Sequence, residues 1–186
     1  MEQKEINEVL LRNVALLSRQ DAREESMMPA GWGPLPSVEE VRRMVSLAKS
    51  IIFTDYFYKR QPEEQIRQHY IGVNMEEFYT LLRRQIARGL EFCEECSETD
   101  VLASAEQMAL GFIDQLPEVK RLLFTDVEAM FQNDPAATNY GEVIFCYPVV
   151  NAMTHYRLAH VLHTMGVPVI PRIITEQAHS RTGIDI

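Results

Sequence analysis

Basic residues are the scarce class in this 186-residue chain, where 18 Lys and Arg stand against 27 Asp and Glu for a formal net charge of -9. That balance argues against nucleic acid as a partner, because such binding rests on Lys and Arg contacts to phosphate and no local basic stripe offsets the deficit. Long apolar runs are missing too. Nothing approaches the roughly 18 consecutive apolar residues of a membrane span. The first thirty residues are charged and amphipathic, without the basic and apolar regions of a secretory signal. The expectation is a cytoplasmic protein with no membrane partner. Cysteine is equally sparse, and three residues make no disulfide framework. Cys93 and Cys96 form a lone C-x-x-C in FCEECS. No second pair completes a zinc site, and Glu94 and Glu95 disfavour a reactive thiolate, so reduced structural cysteines are expected. A Gly-rich phosphate loop, an internal repeat and a low-complexity tract are all lacking.

What is present is helical periodicity. Hydrophobic content of 46% is ordinary for a globular protein, and a chain of this length buries roughly 70% of its unfolded surface on folding. Ile6, Val9, Leu10 and Leu17 place an amphipathic helix at the N-terminus. Met27 to Pro36, MMPAGWGPLP, then interrupts it as a linker or packed loop. Ser37 with Glu40 predicts a capping box at a helix start, with Val38, Val41, Val45, Ala48 and Ile52 down one face. Asn74 with Glu77 predicts another start, ahead of Phe78, Leu81, Leu82 and Ile86. Ser97 or Thr99 begins a further helix, and Pro117 reads as the first turn of the next, which carries Leu122, Leu123, Val127 and Phe131. Two more helices run from Pro148 to Met165 and from Pro168 to about Ser180, stopped by Gly166 and Gly183. Strand-like alternation is nearly absent until Ile184-Asp185-Ile186. The fold class expected is all-α, with something extended beginning at the end.

Three groups of residues invite a functional reading. His155, His160 and His163 share one helix, but at about 100° per residue they spread over roughly 140° and lack the H-E-x-x-H spacing, so packing or surface roles are favoured over a metal. Asp134, in NDPAATNYGE, precedes a proline as an N-cap does, although a cap at a loop edge also presents a free carboxylate. Asp185, between two isoleucines, faces outward on a strand if they face inward. Arg157 and Arg172 are open to carboxylate pairing or anion binding.

The C-terminal run from Asp134 to Ile186 resembles the serine O-acetyltransferases. The agreement lies in separated elements: DPA at Asp134, YRLAH at Tyr156 to His160, and TGIDI at the end. LPSVEEVRRM, IIFTDYF and DQLPEVKRLLFTDVEAMF further resemble the longer bacterial form, leaving about the first thirty residues without a counterpart. The resemblance implies an all-α, multi-helix N-terminal domain over 37–183, preceded by a helix and Pro/Gly linker over 1–36. Residues 184–186 would then begin a left-handed parallel β-helix of hexapeptide repeats. It also implies acetyl transfer from acetyl-CoA to the L-serine hydroxyl. Asp185, at the family's D-I-H-P motif, matches the aspartate that orients a catalytic histidine, and Asp134, at the DPA motif, matches a carboxylate that binds the substrate serine. The catalytic histidine and the acetyl-CoA groove belong to the family's β-helix, so no cofactor-binding or metal site is expected within the chain, and the chain alone is expected to be inactive. The family's trimers or dimers of trimers, and its association with O-acetylserine sulfhydrylase through a C-terminal tail, are further implied partners. Val150-Asn151-Ala152 departs from the aromatic-His-Ala of many relatives, and Thr54-Asp55 from a Pro-Gly. The competing expectation, from another class, is a non-catalytic helical oligomerisation or interaction module.

Overall fold

A computed structural model describes residues 3–28, 33–58, 63–93 and 98–186. The described residues form helices α1 (Gln3–Leu17), α2 (Ala22–Ser26), α3 (Val38–Ile52), α4 (Thr54–Phe57), α5 (Glu64–Cys93), α6 (Glu98–Asn133), α7 (Tyr140–Cys146), α8 (Pro148–Thr164) and α9 (Ile170–Thr182), and no strand. By its contacts the chain divides into two units, Met1–Ala30 and Gly31–Ile186.

In the first unit α1 buries none of its residues, and Val9, Leu10, Leu11, Val14 and Leu17 stand exposed. Asp21 caps α2 reciprocally: its carboxylate accepts from the Arg23 and Glu24 N–H groups, and Glu24 accepts from the Asp21 N–H.

The second unit packs α3 on α5, α5 on α6, α6 on α8 and α8 on α9. Ser37 caps α3 as expected, its Oγ accepting from the Glu40 N–H at 3.2 Å. Glu40 does not reach back to complete the box. It turns instead to Arg84, Gln85 and Arg88 on α5, while the fully buried Gln85 accepts from the Ser37 N–H at 2.8 Å. Val41, Val45, Ala48 and Ile52 are buried as the spacing predicts, and Val38 is exposed.

Two expected boundaries are absent. The start at Asn74 and Glu77 lies well inside α5: Asn74 Nδ2 donates to the Tyr70 carbonyl at 2.7 Å, and Glu77 takes both Nε and an Nη of Arg43. The apolar stripe explains the longer helix, because Ile71 and Met75 already pack on the core in register with Phe78, Leu82 and Ile86. Pro117 likewise sits inside α6 rather than opening a new helix. A proline there removes one backbone hydrogen bond and crowds the preceding turn. The helix continues because Ala105, Ala109, Phe112, Leu116, Val119, Leu123 and Val127 form one unbroken buried stripe across it.

Gly166, at φ 78°, and Gly183, at φ 70°, follow α8 and α9 in the left-handed conformation that glycine adopts without penalty. Val169 also has positive φ, 62°, where a β-branched residue is strained, and Pro168 O accepts from Ile170 N–H across it at 2.6 Å. This tight turn abuts α5 at Gly89, where a β-carbon would lie 2.8 Å from the Pro168 carbonyl oxygen.

Candidate functional site

The loop between α6 and α8 carries a concentrated set of polar contacts, and Asp134 is at its centre. Asp134 does not cap a helix, contrary to the expectation from Asp-Pro. It follows α6, and its carbonyl accepts from Ala137 N–H at 3.1 Å to close a turn. Its Oδ1 accepts from the Ala136 N–H at 2.9 Å, the local side-chain turn that short acidic residues favour over helix. The cap of α7 is Asn139, whose Oδ1 accepts from Glu142 N–H at 2.9 Å.

Its other oxygen, Oδ2, accepts from the Tyr147 hydroxyl at 2.5 Å. Tyr147 is the residue before Pro148, which opens α8, and its side chain makes no cap hydrogen bond there, so its ring is free to turn toward the loop. Asp134 and Tyr147 are both half-buried. The Tyr147 hydrogen bond, and after it the Ala136 N–H, stabilise the charged carboxylate and lower its pKa. The same contact, with burial next, pushes the phenol up to about 12. Glu142 is held nearby by the N–H and hydroxyl of Thr138, at 2.8 and 2.6 Å, which lower its pKa against the repulsion of Asp134. Among the described residues no ion pair neutralises Asp134 or Glu142. The loop therefore presents ionised, pre-oriented carboxylates with lone pairs left over, an arrangement complementary to a small cation such as an ammonium group.

Asp185 lies at the far end of the chain from this loop and among the described residues shares no hydrogen-bond partner with Asp134. The Gly183 N–H donates to the His179 carbonyl at 2.8 Å, and Ile184 N–H donates to Thr182 Oγ1 at 3.1 Å. Asp185 Oδ1 then sits 2.8 Å from His179 Nδ1, with its side chain 92% exposed. Ile184 is half-buried and Ile186 exposed. Residues 184–186 form no strand here.

The three histidines of α8 diverge. His155 is buried, its Nδ1 2.7 Å from the Asn151 carbonyl, and burial lowers its pKa. His160 stacks on Tyr156 at the surface, and with His163, Arg172 and Ile186 it lines an open depression of about 340 Å³ whose lining includes no Asp or Glu side chain among the described residues. Among the described residues no three His, Cys, Asp or Glu side chains converge as a metal requires. Arg157 is committed to Asp126, with Nε and an Nη each 2.6 Å from a carboxylate oxygen. Arg172 lies 3.9 Å from Glu176 on an exposed face. Cys96 and the side chain of Cys93 lie outside the described residues.

Tyr147, Thr138 and Glu142 escaped the sequence reading. Only the identity of Tyr147 as the residue before a helix-opening proline marked it, and nothing in that signal pairs it with an aspartate thirteen residues away.

No protein-family model matches the chain. It is 36% identical over 159 residues to a plasmid-encoded serine acetyltransferase of Synechococcus elongatus, covering 82% of this chain and 50% of that one. It is 44% identical over 64 residues to a serine acetyltransferase of Synechocystis, covering 34% and 26%. The fold matches the crystal structure of Entamoeba histolytica serine acetyltransferase 1 in complex with L-cysteine, with TM-score 0.62 and 27% identity over 82% of this chain and 50% of that chain. The native form of that enzyme gives TM-score 0.62 and 26% identity over 91% and 56%. The chain thus spans about half the length of the relatives it matches over most of its own. The resemblance to serine acetyltransferases is upheld in both sequence and fold. No helix among the described residues is long and apolar enough to cross a membrane.

Proposed function

We propose that the chain is the helical N-terminal part of a serine O-acetyltransferase, a cytoplasmic acyltransferase making O-acetylserine for cysteine biosynthesis. The observation that carries this reading is Asp134: the aspartate of the DPA motif is ionised, held from both oxygens and left without a cation among the described residues. Such a carboxylate receives the ammonium group of L-serine through charge-assisted hydrogen bonds and leaves the hydroxyl to react.

The reaction forms a bond between the serine hydroxyl oxygen and the acetyl carbonyl carbon of acetyl-CoA and breaks the thioester C–S bond. The hydroxyl proton passes to a histidine base, which returns it to the departing thiolate, releasing CoA thiol. Asp185 holds that histidine in the required tautomer and stabilises its charged form. Its high exposure leaves it accessible to such a partner once the chain continues. In the proposed organisation residues 1–36 precede the helical domain of 37–183, and 184–186 lead into the β-helix that carries the base and the acetyl-CoA groove. Subunits associate as trimers or dimers of trimers, and O-acetylserine sulfhydrylase is a partner of the extended protein. The L-cysteine held by the Entamoeba enzyme shares its ammonium and carboxylate with serine, which makes feedback binding of cysteine at the Asp134 site part of the same proposal.

The test is to express the coding frame continued beyond Ile186 and to follow thiol release from acetyl-CoA with and without L-serine. Serine-dependent release by the extended chain, and none by residues 1–186, is expected. An extended chain that consumes no acetyl-CoA in the presence of serine overturns the reading.

A further inference from the structure

We propose that Tyr147 is a positioning residue for the ligand-binding carboxylate: by donating its hydroxyl proton to Asp134 it fixes which carboxylate lone pairs face the substrate ammonium. The inference deepens the acetyltransferase reading and rests on it.

The geometry leaves Asp134 little freedom. Oδ1 is tied to the Ala136 N–H at 2.9 Å and Oδ2 to the Tyr147 hydroxyl at 2.5 Å, so the plane of the carboxylate is set from both ends. A carboxylate offers about four lone-pair sites, and two remain for a ligand. The two restraints differ in kind. The Ala136 contact is local to the turn and forms wherever this loop folds, whereas Tyr147 comes from the start of α8, thirteen residues on, and couples the carboxylate to the core through Val150 and the helix behind it. Removing the hydroxyl leaves one tether and lets the carboxylate rotate about it.

The second consequence is electrostatic. Tyr147 is faced by Asp134 and, on α7, by Glu142 and Cys146. A phenol flanked by carboxylates stays protonated across the neutral range, so it acts as a constant donor and not as a proton-transfer group. It supports the charged form of Asp134, and its loss raises the carboxylate pKa.

The decisive variant is Tyr147→Phe, which keeps the ring, assayed in the chain extended beyond Ile186. The expected result is a KM for L-serine raised about tenfold, the loss of one charge-assisted hydrogen bond's orienting effect. The KM for acetyl-CoA and kcat should change by less than about twofold, and the acid limb of kcat/KM for serine should move to higher pH. Tyr147→His, which restores a donor, should recover part of the serine KM. A serine KM and pH profile identical to the parent's overturn the proposal, as does an equal loss in kcat and both KM values, which marks a merely structural role. A second measurement is independent of turnover: carboxyl carbon titration by NMR in the 186-residue chain should show the Asp134 pKa higher in Tyr147→Phe than in the parent, and an unshifted Asp134 also overturns the inference. An inactive parent enzyme whose Asp134 still responds to Tyr147→Phe would instead defeat the acetyltransferase reading while leaving the positioning contact intact, so the two failures are distinguishable.

Discussion

Arg157 on α8 and Asp126 on α6 form a two-pronged ion pair, with both N···O distances 2.6 Å and side chains only 19% and 17% exposed. The fork fixes the relative rotation of the two helices, which carry the ends of the loop that holds Asp134. Arg157 belongs to the YRLAH motif, and in this structure its fork is committed to Asp126 as a brace between the two helices. Its guanidinium pKa is raised, first by the hydrogen bonds it donates to Asp126, so the pair stays charged.

Removing one partner should therefore cost more than a surface pair does. Asp126→Ala leaves a mostly buried guanidinium unpaired, and the expected loss is about 2–3 kcal/mol, below the full cost for a completely buried charge. For a unit of this size that corresponds to a fall of roughly 5–10 °C in Tm. Arg157→Lys keeps the charge but not the fork and should lose about half as much. Thermal melts of both variants decide the matter; a loss within about 0.5 kcal/mol for Asp126→Ala would show the pair to be ornamental.

His155 makes stability depend on pH in a definite direction. Burial lowers its pKa below 6.5, so the folded state keeps the ring neutral while the unfolded chain takes up a proton as pH falls through 6.5. The contribution is fully present above 6.5 and is lost as pH falls toward the folded value, by at most about 1.4 kcal/mol per pH unit. Urea midpoints measured between pH 7.5 and 5.5 should decline, and the His155 ring resonances in the folded chain should titrate with a midpoint below 6.5. Ring protonation with a midpoint at or above 6.5 in the folded chain would contradict the assignment.

The all-helical class, the cap at Ser37 and the stops at Gly166 and Gly183 were legible because each is encoded within one or two turns of chain. The continuity of α5 and α6 was not. Asn74 with Glu77, and Pro117, are valid local start signals, but a buried stripe running through them outweighs a cap or a missing hydrogen bond, and that stripe becomes visible only when partner helices are in place. Asp134 was legible as a candidate carboxylate at a loop edge and through the DPA motif, but where the Asp-Pro pair predicts a cap the structure has an Asx turn. Tyr147 could not be found at all, since its contact with Asp134 is made by the tertiary path of α7. Asp185 and Asp134 were both legible as candidates, while their lack of any shared partner among the described residues was not.

Gly89 tests how closely α5 approaches the turn before α9. A β-carbon at this position would meet the Pro168 carbonyl oxygen at 2.8 Å and Ile170 Cγ1 at 3.3 Å. The carbonyl belongs to the strained turn at Val169 and has no flexible side chain to yield, so backbone must shift. Gly89→Ala raises helix propensity by about 1 kcal/mol, yet the clash should outweigh it, with a net destabilisation of about 1–2 kcal/mol of the kind overpacking produces. Gly72, within the same helix and open to space, should show the opposite sign on substitution by Ala. Parallel denaturation curves for the two variants give the comparison, and stabilisation by Gly89→Ala would mean the helices stand further apart.

The two aspartates divide the proposed reaction between them, and their substitutions should separate accordingly in the chain extended beyond Ile186. Asp134→Asn keeps the shape and the acceptor oxygen but removes the charge that meets the serine ammonium. A hydrogen bond to a charged group is worth about 1.5–3 kcal/mol, so the KM for serine should rise about 10- to 100-fold, with the KM for acetyl-CoA unchanged. Asp185→Asn leaves serine binding in place but deprives the histidine of the partner that sets its tautomer, and in His–Asp pairs of this kind the loss falls on kcat, by about 10³- to 10⁴-fold. Because Asp185 is almost fully exposed in residues 1–186, its substitution there should leave the melting curve of this chain unchanged, within about 0.5 kcal/mol. Steady-state kinetics against each substrate, beside melts of the shorter chain, separate catalytic loss from structural loss. If Asp185→Asn lowered kcat no more than Asp134→Asn does, the aspartate would not be orienting the base, and the division of labour drawn from the D-I-H-P resemblance would have to be abandoned.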